Sequence, residues 1–194
     1  LIKRKYSFKL CRDEFALIST KPSFEIALSS LRAKNAYVDD TCTEYRREWC
    51  EEYRALCLEN FDLNMRFFEC LDSREFNVEL VRFLKKHNGF FPVTDLKECY
   101  GRAGYYIMVL DQYKQMYVGK SDHVGERIKQ HWSNTKAFDR TLLPVYNTQS
   151  VFSVDFFRAL DTSRIFVWYS RLSEGIESEL VSDVPKKFSL NRVG

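Results

Sequence analysis

The chain has 194 residues, 45% apolar and 15% aromatic, enough to bury one large core or two small ones. Its formal net charge is only +3, and because acidic and basic side chains balance over the first hundred residues, the surplus falls in the second half, where it lends weak support to nucleic-acid contact. No apolar run approaches the length of a membrane span and no signal peptide is read, so no membrane contact is expected and an intracellular protein, cytoplasmic or nucleoid, is.

The chain starts at Leu1 rather than methionine, as a trimmed chain or a piece of a longer one would. The N-terminal half reads as helical. Pro22 opens an amphipathic stretch ending near Asn35, and a longer pattern from about Asp40 to Leu71 sets Tyr45, Trp49, Tyr53, Leu56, Leu63, Phe67 and Leu71 near one face. Arg46, Arg47 and Arg54 alternate there with Glu44, Glu48, Glu51 and Glu52, the pattern of an exposed salt-bridged face rather than a phosphate track. Asn77 is expected to cap a further helix, closed by Asn88-Gly89, that buries Val78, Val81, Phe83 and Leu84. Residues 1–91 are thus expected to form a helical domain, bounded by the break from Gly89 to Pro92. Packing is the role expected of its long helix, with a homodimer seam, a regulatory-partner surface or a DNA-binding surface as alternatives. No helix-turn-helix or zinc-finger signature accompanies it.

Six cysteines, Cys11, Cys42, Cys50, Cys57, Cys70 and Cys99, show neither a CxxC pair nor ligand-like histidine spacing. They read as reduced thiols, mostly facing the core. His87 and His123 likewise lack partners at metal spacing and are expected to be surface residues.

A short helix over Asp95 to Tyr100 leads into the second half. There, Gly104 to Leu110 and Gln115 to Lys120 are two aromatic and β-branched runs around a polar stretch, which predicts a β-hairpin. With a loop of two or four residues, Tyr106 and Tyr117 share a face and lie diagonally, roughly 7–8 Å apart. Next comes a helical pattern in which Val124, Ile128 and Trp132 form the buried stripe, with Arg127 and His131 along one edge, able to reach the hairpin. A long connection follows, with Phe138-Asp139-Arg140 and a helix-like stretch from Val154 to Asp161, before Arg164 to Tyr169 reads as a third strand.

Ser173 is a good N-cap for a helix from Glu174 to Val184, stopped by Pro185. On it, Glu177 lies at the centre of the apolar stripe of Leu180, Val181 and Val184, whereas Glu179 projects almost opposite. An acid on such a stripe is costly unless neutralised, which a metal ion beside the tyrosine face would do. Taken singly, each of these residues has an ordinary structural explanation: packing for a strand tyrosine, solvation or a salt bridge for Arg127, capping for His131. Their joint occurrence in order and register argues otherwise.

Gly104-Tyr105-Tyr106 and Tyr117-Val118-Gly119 resemble the two signature tripeptides of the GIY-YIG endonuclease superfamily, and the spacings to Arg127 and His131 fit it as well. Tyr105 and Val118 replace the central isoleucines, and both suit a strand. Lys120 resembles the lysine of the nucleotide excision repair branch, and Asn191 is the candidate for the family's terminal asparagine. The motifs cover about residues 104 to 191. The resemblance implies an α+β module over residues 92–194, a three-stranded antiparallel sheet flanked by helices, and a metal-dependent endonuclease acting on DNA, duplex in the first instance. It further implies one Mg²⁺ or Mn²⁺ ion held by Glu177, oxygen ligation being what such cations prefer. Arg127 and the ion would stabilise the phosphate charge, with 5′-phosphate and 3′-hydroxyl products. Tyr106 is assigned as general base and Tyr117 and His131 as positioning groups or proton donors. A free phenol titrates near pH ~10 and needs a downward shift for that role, whereas histidine has an ordinary pKa of ~6.5. Two other readings are carried: a nuclease that needs a partner for activity, and a non-catalytic nucleic-acid-binding or protein-interaction module retaining the fold.

Overall fold

The computed structural model describes residues 47–132 and 160–191. The stretch from Pro22 to Asn35, Tyr45, Cys11, Cys42 and the connection with its helix-like stretch before Leu160 lie outside the described residues. So do the side chains of Trp49, Cys50, Tyr53, Leu56 and Cys57. Among the described residues the fold is α+β, with four α-helices: α1 (Arg47–Glu69), α2 (Ser73–Lys86), α3 (Val124–His131) and α4 (Ile176–Ser182). Four strands complete it: β1 (Phe91–Val93), β2 (Gly104–Leu110), β3 (Gln115–Ser121) and β4 (Arg164–Tyr169).

The sheet has four strands in the order β1-β4-β2-β3, every neighbouring pair antiparallel, where three were expected. The additional strand is Phe91-Pro92-Val93, in the segment that reads as a break because of its proline. Pro92 sits opposite Phe166 on an edge strand, which bonds on one side only, so a residue without an N–H is tolerated there. The hairpin has the four-residue loop: Leu110 pairs with Gln115, and Asp111–Tyr113 form a 3₁₀ turn closed by Lys114 in the left-handed region (φ 51°). Lys114 Nζ donates to the Phe68 carbonyl 3.0 Å away, tying the loop to the end of α1.

Side-chain alternation divides the core between the two sheet faces. Tyr106, Met108, Leu110, Ile165 and Val167 meet Phe68 of α1 and Val124, Ile128 and Trp132 on one face. On the other, Tyr105, Ile107, Val109, Met116 and Val118 meet Phe76, Leu80 and Phe83 of α2 and Leu180 of α4. Each core therefore draws side chains from both sides of residue 91.

The two N-terminal helices depart from the expected pattern in register. On α1 the inward residues are Leu58, Phe61, Met65 and Phe68, while Leu63 and Phe67 are exposed. The consecutive Phe67-Phe68 lets the apolar stripe be drawn along either of two adjacent rows, and tertiary packing takes the second. Helix α2 begins a turn before Asn77, with Asp72 as N-cap accepting from the Glu75 amide at 2.7 Å. Asp72 and Glu75 stand at capping-box spacing. Phe83 is buried and Leu84 packs against the core as expected, but Phe76 and Leu80 complete the stripe and Val78 and Val81 are exposed. Cys99 is buried and Cys70 exposed, both free thiols. No helix among the described residues is long and apolar enough to cross a membrane.

Candidate functional site

Tyr106 stands opposite Gly119, and Tyr117 opposite Met108, so the two tyrosines are diagonal neighbours on one face with ring centroids 6.2 Å apart. Helix α3 covers that face. Burial of Val124, Ile128 and Trp132 fixes its rotation, and that rotation aims His131 inward. The Tyr106 hydroxyl lies 2.8 Å from His131 Nε2, and the Tyr117 ring meets the imidazole edge-on with centroids 5.0 Å apart. Tyr106 and His131 are buried, Tyr117 half-buried, and Arg127 and Lys120 exposed, so the group runs from the interior to an open mouth.

Burial pushes the Tyr106 phenol well above its ordinary range, and neighbouring Tyr117 and Glu177 push the same way; the charge of Arg127 and its hydrogen bond oppose this without prevailing. Burial likewise raises Tyr117, again against Arg127 and with Glu177. Both phenols are therefore neutral at pH 7, and the Tyr106 hydroxyl shares its hydrogen bond with His131 Nε2 as a neutral group. These causes also show that Arg127 and Glu177 both lie within electrostatic reach of the tyrosine pair. Arg127 additionally donates to Gln130 Oε1 at 3.2 Å.

Helix α4 carries Glu177, which is half-buried, whereas Glu179 is exposed. Lys120 Nζ sits 3.5 Å from Glu177 Oε2. The helix begins later than expected, at Ile176, with Gly175 in the left-handed region (φ 83°) at its N-cap in place of Ser173. The Ser173 amide instead donates to the Tyr105 hydroxyl at 2.9 Å, anchoring the approach to α4. At the far end of α4, Asp183 binds Lys86 Nζ at 2.6 Å and His87 Nε2 at 2.7 Å, while Arg82 donates to its carbonyl. His87 is thus not a surface residue. Its side chain is 11% exposed, pinned between that carboxylate and the ring of Phe83. His123 is exposed, at the N-cap of α3.

Asn191 does not point into the tyrosine group. Its side chain receives the Val118 amide at 2.8 Å and donates to the Val118 carbonyl at 2.7 Å. Val118 lies on the outer edge strand, so Asn191 takes the place of a missing ladder neighbour and steadies the backbone between Tyr117 and Gly119. Sequence reasoning overlooked Tyr105 and Asp183 as the two anchors of the Glu177 helix. The available signal was a hydroxyl at a fully buried strand position, which must find a partner.

The donor set would leave a hard divalent cation most of its water. It offers one carboxylate at the mouth, and the Lys120 ammonium already stands as a cation beside it. Among the described residues no cluster of three or more His, Cys, Asp or Glu side chains gathers. Comparisons with protein-family models, with curated proteins and with solved structures give no match to the chain.

Proposed function

We propose that the protein is a metal-dependent endonuclease that hydrolyses DNA phosphodiester bonds. The observation that carries this reading is the buried Tyr106–His131 hydrogen bond of 2.8 Å with Tyr117, Arg127 and Glu177 all within electrostatic reach of it, a convergence that packing alone does not require. The resemblance of the two tripeptides to those of GIY-YIG endonucleases supports it from the sequence.

In this reaction water attacks the phosphorus and the bond to O3′ breaks, the departing O3′ taking a proton from solvent water, which leaves a 5′-phosphate and a 3′-hydroxyl. Tyr106, neutral at rest, takes the proton of the water as it passes its own to His131 Nε2, so the pair acts as one base and no free phenolate is needed. Tyr117 packs against the imidazole and fixes its plane. Arg127, exposed at the mouth, meets the phosphate oxygens as they gain charge; groups in this role contribute on the order of 10²–10³-fold to rate. A Mg²⁺ or Mn²⁺ ion held by Glu177 would supply Lewis-acid stabilisation of the same charge.

The test is cleavage of supercoiled plasmid with Mg²⁺ or Mn²⁺ by the wild-type chain, Arg127→Ala and Glu177→Ala. Nicking or linearisation lost in both variants is expected. Wild-type protein that binds neither metal nor DNA would overturn the catalytic reading in favour of a non-catalytic interaction module. A nuclease that waits for a partner would bind both and cut only once that partner is added.

A further inference from the structure

The Lys120–Glu177 contact bears on how such a site is kept at rest. It rests on the nuclease reading above and concerns the order of events at the same mouth. Lys120 follows Gly119 at the end of the outer strand, and Glu177 approaches from α4; these are separate elements, each anchored on its own, so their meeting is set by the fold and not by sequence proximity. The pair is accessible, with side chains 39% and 31% exposed, so it can exchange partners without opening the core. Glu177 lies within electrostatic reach of both phenols and 3.5 Å from the Lys120 ammonium. Anything that neutralises Glu177 does so beside the proposed reaction centre.

We infer that Lys120 is an internal counter-ion that occupies Glu177 in the resting protein, is displaced when a divalent cation binds there, and is then free to contact a phosphate of the nucleic acid. The physical basis is competition: one carboxylate cannot give its full charge to two cations at close range, and the divalent ion wins because its charge is double and its ligation direct. The ammonium released is a mobile point charge on a four-carbon stem, suited to a backbone phosphate a few ångströms away. Metal binding and nucleic-acid binding become coupled through one side chain, and by linkage each favours the other. An exposed pair is weak, so the coupling is small: removing the lysine charge should tighten metal binding about two- to fivefold.

The experiment is Mn²⁺ binding to the full chain without nucleic acid, by calorimetry or by the loss of the free-ion resonance signal, for wild type, Lys120→Met, Lys120→Arg and Glu177→Gln. Tighter binding by Lys120→Met, wild-type affinity for Lys120→Arg and lost binding for Glu177→Gln are expected. Equal affinities in wild type and Lys120→Met, with the Glu177 dependence intact, would overturn the exchange and leave the nuclease reading standing. Binding indifferent to Glu177→Gln would overturn both. A second arm follows the released lysine: in metal-free duplex binding, Glu177→Gln should gain affinity over wild type, and the gain should shrink when Lys120→Met is added. A gain unchanged by Lys120→Met would show that the lysine never reaches the phosphate.

Discussion

Gly119 and Tyr106 face each other across the hairpin so closely that a Cβ on Gly119 would stand 2.5 Å from both Cζ and the hydroxyl oxygen of the tyrosine. The last residue of the second tripeptide is therefore a glycine because the second tyrosine of the first tripeptide lies over it. Both the ring and the imidazole beyond it are buried, so the ring can give way only at the expense of their contact.

Gly119→Ala is expected to displace the Tyr106 hydroxyl from His131 while leaving the strand in place. Overpacking of this kind costs about 1–3 kcal/mol. Thermal unfolding should show a stable but weakened fold, and plasmid cleavage should fall to the level of Tyr106→Phe. A variant as active as wild type would show that the hydroxyl position does not matter.

Tyr106→Phe keeps the buried ring and removes the proposed proton relay, leaving His131 Nε2 without the phenol. The stability loss should be about 1 kcal/mol, typical of one hydrogen bond, while cleavage drops by roughly 10²-fold or more. The separation of the two effects is the point. A parallel loss would make the contact structural only.

The raised phenols give an alkaline signature. Burial raises Tyr106 and Tyr117, and burial with the neighbouring Cys99 thiol pushes Tyr169 up to about 12. Folding holds these groups neutral where the unfolded chain ionises them, so their contribution is full below pH ~10 and is lost as pH rises through the folded values. Unfolding free energy should therefore fall above pH ~10, and less steeply in Tyr106→Phe. Ultraviolet titration of the folded protein should show a late-ionising fraction among the 11 tyrosines.

Asp183 contributes to the acid limb: its carboxyl is held below its ordinary range by hydrogen bonds from Lys86 first and then His87, against the opposing effect of burial. Its stabilisation is present above the ordinary carboxylate pKa and lost as pH falls through the depressed one. Asp183→Asn should be less stable than wild type at pH 7, with the gap closing at acid pH. Because Asp183 ends the helix that carries Glu177, Mn²⁺ binding should weaken as well.

How far the sequence discloses these features differs from element to element. The hairpin and the strand from Arg164 to Tyr169 are legible from their aromatic and branched composition and α3 from the spacing of Val124, Ile128 and Trp132, and each forms where that reading places it. Tyr106, Tyr117 and His131 meet because those three elements do. The stripe of α1 and the start of α2 escape a reading by pattern because adjacent apolar residues, Phe67-Phe68 on α1 and Leu80-Val81 on α2, support two registers, and only contact with the sheet selects one. Strand β1 is too short to show a period, and its proline argues against a strand unless its edge position is known. The ion pair between Lys120 and Glu177 joins residues far apart in sequence and has no signature of its own.

Asn191 makes a final separable prediction. Its amide supplies both an acceptor for the Val118 N–H and a donor for the Val118 carbonyl, which is what a neighbouring strand would supply at this open edge. Nearby, the Leu190 amide bonds the Met116 carbonyl at 2.9 Å, so the C-terminal segment shields two successive outward positions of β3. Asn191→Ala leaves both groups of Val118 to water or unpaired, at about 1–3 kcal/mol. Asn191→Asp retains the acceptor but turns a charged oxygen toward the carbonyl, and should be no better. Amide hydrogen exchange at Val118 should accelerate in both variants ahead of exchange at Ile107 on the inner strand, because only the outer edge depends on the clamp. If Val118 stays as protected as Ile107 in Asn191→Ala, the asparagine is dispensable for the edge.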